Sequence, residues 1–286
     1  MQIVERIQPL RQLLSEPRRR AERIALVPTM GALHEGHLAL VDLARERASC
    51  VVMSLFVNPL QFGPSEDFAR YPRDRERDAQ LADERGVDIM FAPQTDELYR
   101  TDRAVSVVPT ALASRWEGAS RPGHFTGVLT VVAKLFNIVQ PDVAIFGQKD
   151  IQQATLIRAM VRDLDFPIQV VIAPTVRERD GVALSSRNAY LSAPDRARAR
   201  VLSRALFAVR DAFDRGERST DTLRALGNAM VRSEPEVELE YLALVDPGTL
   251  EPVAHASRST VVAIAARVGN TRLIDNVILG APGDTA

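Results

Sequence analysis

Cysteine is almost missing from the 286-residue chain, which contains only Cys50. A single cysteine excludes a disulfide within the chain, so the sequence predicts a cytoplasmic protein rather than a disulfide-stabilised secreted one. Cys50 begins the apolar run CVVMSLFV, where a cysteine is more often a small core residue than a reactive thiol. No apolar run is long enough to cross a bilayer, and the N-terminal MQIVERIQPLRQLL lacks the apolar centre of a secretory signal.

An excess of charge of either sign is also missing, because 36 basic residues nearly balance 37 acidic residues. This balance argues against a nucleic-acid or membrane-surface partner. Lysine itself occurs only at Lys134 and Lys149, while every other Lys or Arg position is arginine. A chain that otherwise uses arginine keeps lysine where a compact ammonium group matters, although codon bias explains two lysines equally well. Lys134 has no explanation in the sequence.

Apolar runs alternate with segments of helical periodicity, which is typical of an α/β fold. Strands are expected at RIALVPT, CVVMSLFV, VDIMFAP, DVAIFG and IQVVIAPTV. The segment from residue 128 to 140 predicts a helix that is buried along one face, ended by Pro141. We therefore expect a Rossmann-like, doubly wound parallel sheet over residues 1–176. After residue 176, two helical segments precede three short strands, which predicts a smaller α+β domain over residues 177–286.

The stretch TMGALHEGH follows the first predicted strand and leads into a helix, and it holds two of the four histidines, His34 and His37. A helix that begins at the carboxyl end of a parallel strand offers N–H groups and a positive dipole end to an anion such as phosphate. The G-x-G-x-x-G and P-loop fingerprints are both missing. Zinc ligation by the two histidines and ordinary loop histidines are the alternatives.

Three further segments carry polar side chains where loops are expected. FGQKDIQQ follows a strand and supplies Gly147, Lys149 and Asp150, although Asp150 also fits a helix N-cap. ALSSRNAYLS supplies two hydroxyls and an arginine that suit a polyphosphate, and a solvated loop is the alternative. FVNPLQF supplies Asn58 and Gln61, which suit a small polar substrate, unless Asn58 only forms a turn with Pro59.

These candidate side chains are nearly all hydrogen-bond donors, and no Ser-His-Asp arrangement or carboxylate pair for hydrolysis accompanies them. A site of donors without a nucleophile suits nucleotidyl transfer, in which the protein positions the reactants and stabilises phosphate charge. A related nucleotidyltransferase, a non-catalytic nucleotide sensor and a zinc hydrolase are the competing interpretations.

The chain resembles the pantoate–β-alanine ligase family of the nucleotidyltransferase superfamily. The resemblance rests, in order along the chain, on VPTMGALHEGH, FVNPLQF, EGASRPGHFTGV, FGQKDIQQ and DGVALSSRNAYL, and it continues to RLIDN near residue 276. It implies that pantoate attacks the α-phosphate of ATP, with Mg²⁺ on the phosphates, and that β-alanine then attacks the pantoyl adenylate to give pantothenate and AMP. It also implies a C-terminal lid and a homodimer. The family commonly has Glu where this chain has Gln148 and Met where it has Leu184.

The same resemblance assigns residues to each substrate. For ATP they are Met30, Gly31, Ala32, Leu33, His34, Glu35, Gly36, His37, Gly147, Gln148, Lys149, Asp150, Val176, Leu184, Ser185, Ser186 and Arg187. For pantoate they are Gln61 and Gln153, to which we add Asn58, and Gln61 also lies near β-alanine. His34, His37 and Lys149 are the expected catalytic residues, with no protein ligand for a metal. His37 is the family's proton donor, although an imidazolium that only stabilises charge fits equally well.

Overall fold

Six parallel strands form the sheet of the first part of the chain in the computed structural model, which describes residues 1–64 and 66–281. They are β1 (Gln2–Val4), β2 (Ile24–Thr29), β3 (Cys50–Leu55), β4 (Ile89–Phe91), β5 (Val143–Gly147) and β6 (Gln169–Ala173). Their order across the sheet is β1-β4-β3-β2-β5-β6. The predicted doubly wound parallel sheet is therefore confirmed, with β1 as an additional edge strand that the sequence analysis did not identify.

The strand order reverses between β2 and β5. From β2 the chain continues outward through β3 to β4, whereas β5 and β6 extend the sheet in the opposite direction. β2 pairs with β5 through Ala25–Val143 and Leu26–Ala144, and the same register places Thr29 level with Gly147. Ligands of doubly wound sheets bind in the crevice beside the carboxyl ends of the strands at such a reversal. The loop that follows Thr29 therefore leaves the sheet at the expected ligand-binding edge.

Helices cover both faces of this sheet. They are α1 (Ile7–Arg19), α2 (Glu35–Arg45), α3 (Arg75–Glu84), α4 (Thr95–Leu98), α5 (Glu117–Ser120), α6 (His124–Val139) and α7 (Ile151–Asp163). Successive side chains of β2 point to opposite faces of the sheet. Leu26 packs in one core with α1, α6 and α7, and Val27 packs in the other core with α2 and α3. α6 begins four residues before the predicted start, and the prediction of one buried face was too narrow, because Thr130 and Ala133 are buried as well as Phe136.

The chain divides into two compact units. The first comprises Met1–Gly147 and Gln153–Ala173, and the second comprises Gln148–Gln152 and the chain from Pro174 onward. The second unit contains α8 (Ala193–Asp214), α9 (Thr220–Arg232), β7 (Val237–Val245), β8 (Val261–Val268) and β9 (Thr271–Ile278). The three strands form an antiparallel sheet whose core includes side chains of both helices. This is the smaller α+β fold that the sequence predicts.

None of the helices within the described ranges is both long enough and apolar enough to cross a lipid bilayer.

Candidate active site

The loop after β2 places His34 and His37 at the start of α2. His34 is the N-cap residue, and its Nδ1 accepts a hydrogen bond from Gly36 N at 3.1 Å. Because Nδ1 uses its lone pair in this bond, a neutral His34 ring carries its proton on Nε2 and presents a donor there. The two imidazoles lie 4.1 Å apart between ring centroids with an interplanar angle of 30°. The structure therefore pairs the two predicted catalytic histidines.

The N–H groups in this loop are largely engaged within the protein, contrary to the expectation that they are open to phosphate. Asp78 of α3 accepts hydrogen bonds from Ala32 N at 2.8 Å and Leu33 N at 2.7 Å. Gly36 N donates to the His34 ring, and His37 N donates to His34 O at 2.8 Å. Four N–H groups of this loop are therefore already paired within the protein. Glu35, another residue predicted to contact ATP, pairs with Arg85 at the surface.

Gln61 lies in a buried polar network of the first unit. Asn58 donates from Nδ2 to Gln61 Oε1 at 3.0 Å and to Gly127 O at 3.1 Å. Asn58 Oδ1 accepts from Tyr99 OH at 2.8 Å and from Leu60 N at 3.3 Å. The side-chain amide of Asn58 thus makes four hydrogen bonds inside the protein, two as donor and two as acceptor, which is its full capacity. Gln61 Nε2 contacts Met30 Sδ at 3.1 Å, so the network reaches the histidine loop.

The main-chain oxygen of Gln61 is held from a different side. His124 Nδ1 lies 2.8 Å from Gln61 O, and Arg121 Nη2 donates to the same oxygen at 3.3 Å. Arg121 Nη1 lies 3.0 Å from His124 Nε2, and Arg121 also pairs with Glu66 through Nε–Oε1 at 2.8 Å and Nη2–Oε2 at 2.5 Å. Because the carbonyl oxygen of Gln61 can only accept, His124 carries its proton on Nδ1, and its Nε2 accepts from Arg121. Burial, with the nearby Arg121 charge, lowers the pKa of His124 to about 4.

In the second unit, Asn276 of β9 holds the turn that contains Lys149. Its Nδ2 donates to Gln148 O and to Lys149 O, both at 2.9 Å, and Gln148 Nε2 returns a hydrogen bond to Asn276 Oδ1 at 3.3 Å. The neighbouring Asp275 forms a fully buried pair with Arg177 at 2.6 and 3.0 Å. Lys149 Nζ lies 3.6 Å from Asp150 Oδ1. The main chain around Lys149 is therefore fixed by buried hydrogen bonds.

The segment around the predicted Ser-Ser-Arg motif forms a hairpin that ends in a 3-10 turn. Leu184 N donates to Val176 O at 3.0 Å, so these two predicted ATP residues are adjacent. Ser185 caps the turn Ser186–Tyr190, and its Oγ accepts from Arg187 N at 3.3 Å. Lys149 and Ser185 line one small cavity of about 10 Å³, also lined by Asn188 and Asp275, which has room for about one water molecule. The second unit thus brings Lys149 and the Ser-Ser-Arg segment together.

A protein-built metal site does not accompany these side chains. Across residues 1–64 and 66–281, no group of three or more His, Cys, Asp or Glu side chains is arranged to hold a metal ion. A zinc site at His34 and His37 would need a third ligand, which this part of the chain does not offer.

Comparison with known proteins decides the family. The sequence profile of the pantoate-beta-alanine ligase family matches residues 2–278. The chain belongs to the pantoate–β-alanine ligase family. The ligase is 52% identical over 279 residues to the pantothenate synthetase of Moorella thermoacetica, a match that covers 98% of this chain and 99% of that protein.

Solved structures show the same relationship. The crystal structure of pantothenate synthetase from Thermus thermophilus matches with a TM-score of 0.93 and 50% identity, covering 97% of the ligase and 99% of that chain. A pantoate-beta-alanine ligase from Francisella tularensis, crystallised with beta-gamma ATP and beta-alanine, matches with a TM-score of 0.79 and 31% identity, covering 97% of each chain. The ligase is therefore an enzyme whose reaction forms pantothenate.

Several residues that shape this site were not identified from the sequence, namely Asp78, Tyr99, Arg121, His124 and Asn276. Asp78 lies four residues before the buried Ala82 on α3 and is itself buried. That spacing places a charge on the apolar stripe of α3, which is the one sequence signal that could have revealed it. Among the predicted residues, Gln153 is half-buried in the first turn of α7 of the ligase.

Proposed function

We propose that the ligase makes pantothenate in two steps, using the residues assigned above. In the first step a pantoate carboxylate oxygen bonds to the α-phosphorus of ATP, and the bond to the β-phosphate oxygen breaks to release pyrophosphate. In the second step the amine nitrogen of β-alanine bonds to the acyl carbon of pantoyl adenylate. The acyl–oxygen bond breaks, AMP leaves, and the nitrogen loses a proton. The observation that carries this proposal is the pair of histidines at the reversal point of the sheet in a chain that matches the family throughout.

The proposed contacts to ATP are side-chain donors. His34 presents Nε2–H because its Nδ1 is occupied by Gly36 N, and His37 stacks beside it. Lys149, Ser186 and Arg187 supply further donors, while Gly147, Val176 and Leu184 offer main chain and apolar surface to the nucleotide. Preorganised donors of this kind stabilise charge that grows on the phosphates during transfer. The complex of the Francisella tularensis relative with beta-gamma ATP supports the assignment of a nucleotide to this fold.

The proposed contacts to pantoate and β-alanine come from Gln61, with Gln153 as a second contact to pantoate. We assign Asn58 a positioning role, because its amide is already saturated by Gln61, Gly127, Tyr99 and Leu60. The β-alanine present in the Francisella tularensis complex supports this amine as the second substrate.

Mg²⁺ is proposed to accompany ATP and not to reside in the protein. The described residues offer no carboxylate cluster, whereas Mg²⁺ commonly binds through substrate phosphates and water. When bound there, it neutralises charge on the departing pyrophosphate.

We also propose a homodimer, a lid role for residues 177–286 and a cytoplasmic location. The single cysteine of the chain, Cys50, supports the cytoplasmic location, because it leaves no disulfide within the chain.

Exchange of labelled pyrophosphate into ATP tests the first step without the second. With pantoate and Mg²⁺ but no β-alanine, the ligase should catalyse this exchange, because adenylation is reversible while the adenylate stays bound. Exchange that is missing with pantoate, or present equally without any acid, would contradict the proposed first step.

A further inference from the structure

Asp78 forms an internal anion site beneath the histidine loop. Its side chain is 2% exposed, and its two carboxylate oxygens accept from the consecutive N–H groups of Ala32 and Leu33 at 2.8 and 2.7 Å. The nearest described cation, Arg77, has its closest nitrogen 3.9 Å from Asp78 Oδ1 and donates instead to Leu33 O at 3.1 Å. The main partners of this buried carboxylate are thus two main-chain amides, in charge-assisted hydrogen bonds.

The backbone that supplies these amides is strained. Gly31 has φ +90° and Ala32 has φ +51°, so two consecutive residues adopt the left-handed region, which is unfavourable for a residue with a side chain such as Ala32. Consecutive N–H groups in such a turn form a concavity that binds anions. A substrate phosphate is the usual occupant of a concavity of this kind beside a nucleotide, but here Asp78 fills it.

The concavity adjoins the catalytic pair directly. Leu33 precedes His34, whose carbonyl oxygen accepts from His37 N at 2.8 Å and Leu38 N at 3.1 Å to begin α2. The conformation of residues 31–33 therefore sets where α2 begins and how both imidazoles are presented. A side chain at Gly31 is excluded as well, because its Cβ would lie 2.8 Å from Asp78 Oδ2.

We propose that Asp78 is the positioning residue for His34 and His37: its carboxylate occupies the anion concavity of the Gly31–Leu33 turn permanently. By holding this strained turn, Asp78 keeps the Ala32 and Leu33 amides hydrogen-bonded within the protein. The imidazoles then bind the triphosphate. This inference rests on the proposed roles of His34 and His37, and it adds a residue from α3 that contacts no substrate.

Asp78→Asn tests the positioning role, with Asp74→Asn as the matched control. The asparagine keeps the shape of the side chain but places an NH₂ group against one of the two amides. Asp74 caps the same helix by accepting from Arg77 N at 3.1 Å, and it is exposed. We expect Asp78→Asn to lower kcat about 10- to 100-fold and to shift the ring ¹⁵N resonances of His34 and His37, leaving those of His255 unchanged. Asp74→Asn should alter neither. A folded Asp78→Asn protein with wild-type kcat and wild-type histidine resonances would overturn the proposal.

Amide exchange in the wild-type protein provides a test that needs no variant. The Ala32 and Leu33 amides should exchange slowly with solvent, and their resonances should move little when a non-hydrolysable ATP analogue is added. Fast exchange without nucleotide, with large shifts on its addition, would show that these amides serve phosphate and would overturn the proposal. This readout does not depend on turnover, so it distinguishes failure of the Asp78 proposal from failure of the proposed function.

In a folded Asp78→Asn background, Ala32→Gly should recover part of the lost kcat, because glycine adopts the left-handed turn without strain.

Discussion

At the scale of single residues, the site depends on polar side chains whose hydrogen bonds fix one another. The His34 ring caps its own helix through Nδ1, and His124 holds the Gln61 main chain through Nδ1–H while Arg121 donates to its other nitrogen. Each histidine is thereby restricted to one neutral tautomer. The ring orientation in both cases follows from main-chain groups, so these side chains are set before any substrate arrives.

The two lysines offer a matched pair of substitutions. Lys149→Ala removes the ammonium group that is proposed to reach a phosphate, so the first step should slow about 10²- to 10³-fold. The second step, started from preformed pantoyl adenylate, should keep most of its rate because pyrophosphate has already left. Single-turnover measurements of each step check this. Lys134→Ala, on α6, should leave both steps near wild type. Equal losses in both steps for Lys149→Ala would mean that Lys149 holds the adenylate itself or maintains the fold.

His124 predicts an acid-sensitive contribution to stability. Burial and the Arg121 charge lower its pKa to about 4 in the folded protein, against the opposing effects of the hydrogen bond to Gln61 O and of the Glu66 and Glu117 charges. The unfolded chain binds the proton first, so the contribution is fully present above about pH 6.5 and is lost as pH falls through about 4. The loss by pH 4 is on the order of 3 kcal/mol.

Urea unfolding of wild type and His124→Asn between pH 7 and pH 4 checks this contribution. The difference in the free energy of unfolding between wild type and His124→Asn should become smaller as the pH falls, because the variant lacks the titrating group. His255→Asn, at an exposed position, should show the pH dependence of wild type. A gap that stays constant with pH would contradict the assigned protonation state of His124.

At the scale of secondary-structure elements, α6 closely approaches the turn Pro59–Gln61, which carries the residue that is proposed to bind pantoate. A Cβ at Gly127 would lie 2.2 Å from Leu60 O and 2.6 Å from Gln61 N, so only glycine permits this contact. The carbonyl of Gly127 meanwhile accepts from Asn58 Nδ2. α6 therefore packs in the core and also contacts the turn that contains Gln61.

Gly127→Ala should therefore destabilise the fold by about 1–3 kcal/mol through overpacking and raise KM for pantoate more than KM for ATP. Denaturation and steady-state kinetics of the variant measure the two effects. Gly248→Ala provides the control, because a Cβ there would meet only Asp246 Oδ1 at 3.4 Å. Wild-type stability and an unchanged KM for pantoate in Gly127→Ala would contradict the assignment of Gln61 to pantoate.

The helices and strands could be predicted from the sequence more completely than the candidate active site. Buried parallel strands are continuous apolar runs, so β2, β3 and β5 stand out, and glycine or proline marks where many helices stop. Periodicity describes average burial along a segment, so it places Asp78 on the apolar stripe of α3 but gives no partner for Asp78, His124 or Asn276. The resemblance located the histidines, Gln61 and Lys149, but the groups that hold their main chain come from α3, α6 and β9, which are distant in sequence.

At the scale of the whole molecule, each of the two units has its own hydrophobic core and contains residues that are proposed to bind substrates. The first contains His34, His37, Gln61 and Gln153, and the second contains Lys149 and the Ser185–Arg187 segment. The short segment Gln148–Gln152 groups with the second unit through Asn276, so the division falls inside the FGQKDIQQ motif. The family profile spans residues 2–278, so both units belong to the ligase fold.

The central claim, that this chain couples ATP cleavage to the joining of pantoate and β-alanine, is tested most directly by AMP release. Purified protein would receive ATP, Mg²⁺, pantoate and β-alanine, with each component omitted in turn. The account predicts multiple-turnover AMP release, with an equal amount of pantothenate, only when all four are present. AMP release that continues without pantoate or β-alanine, or no release from the complete mixture, would contradict it.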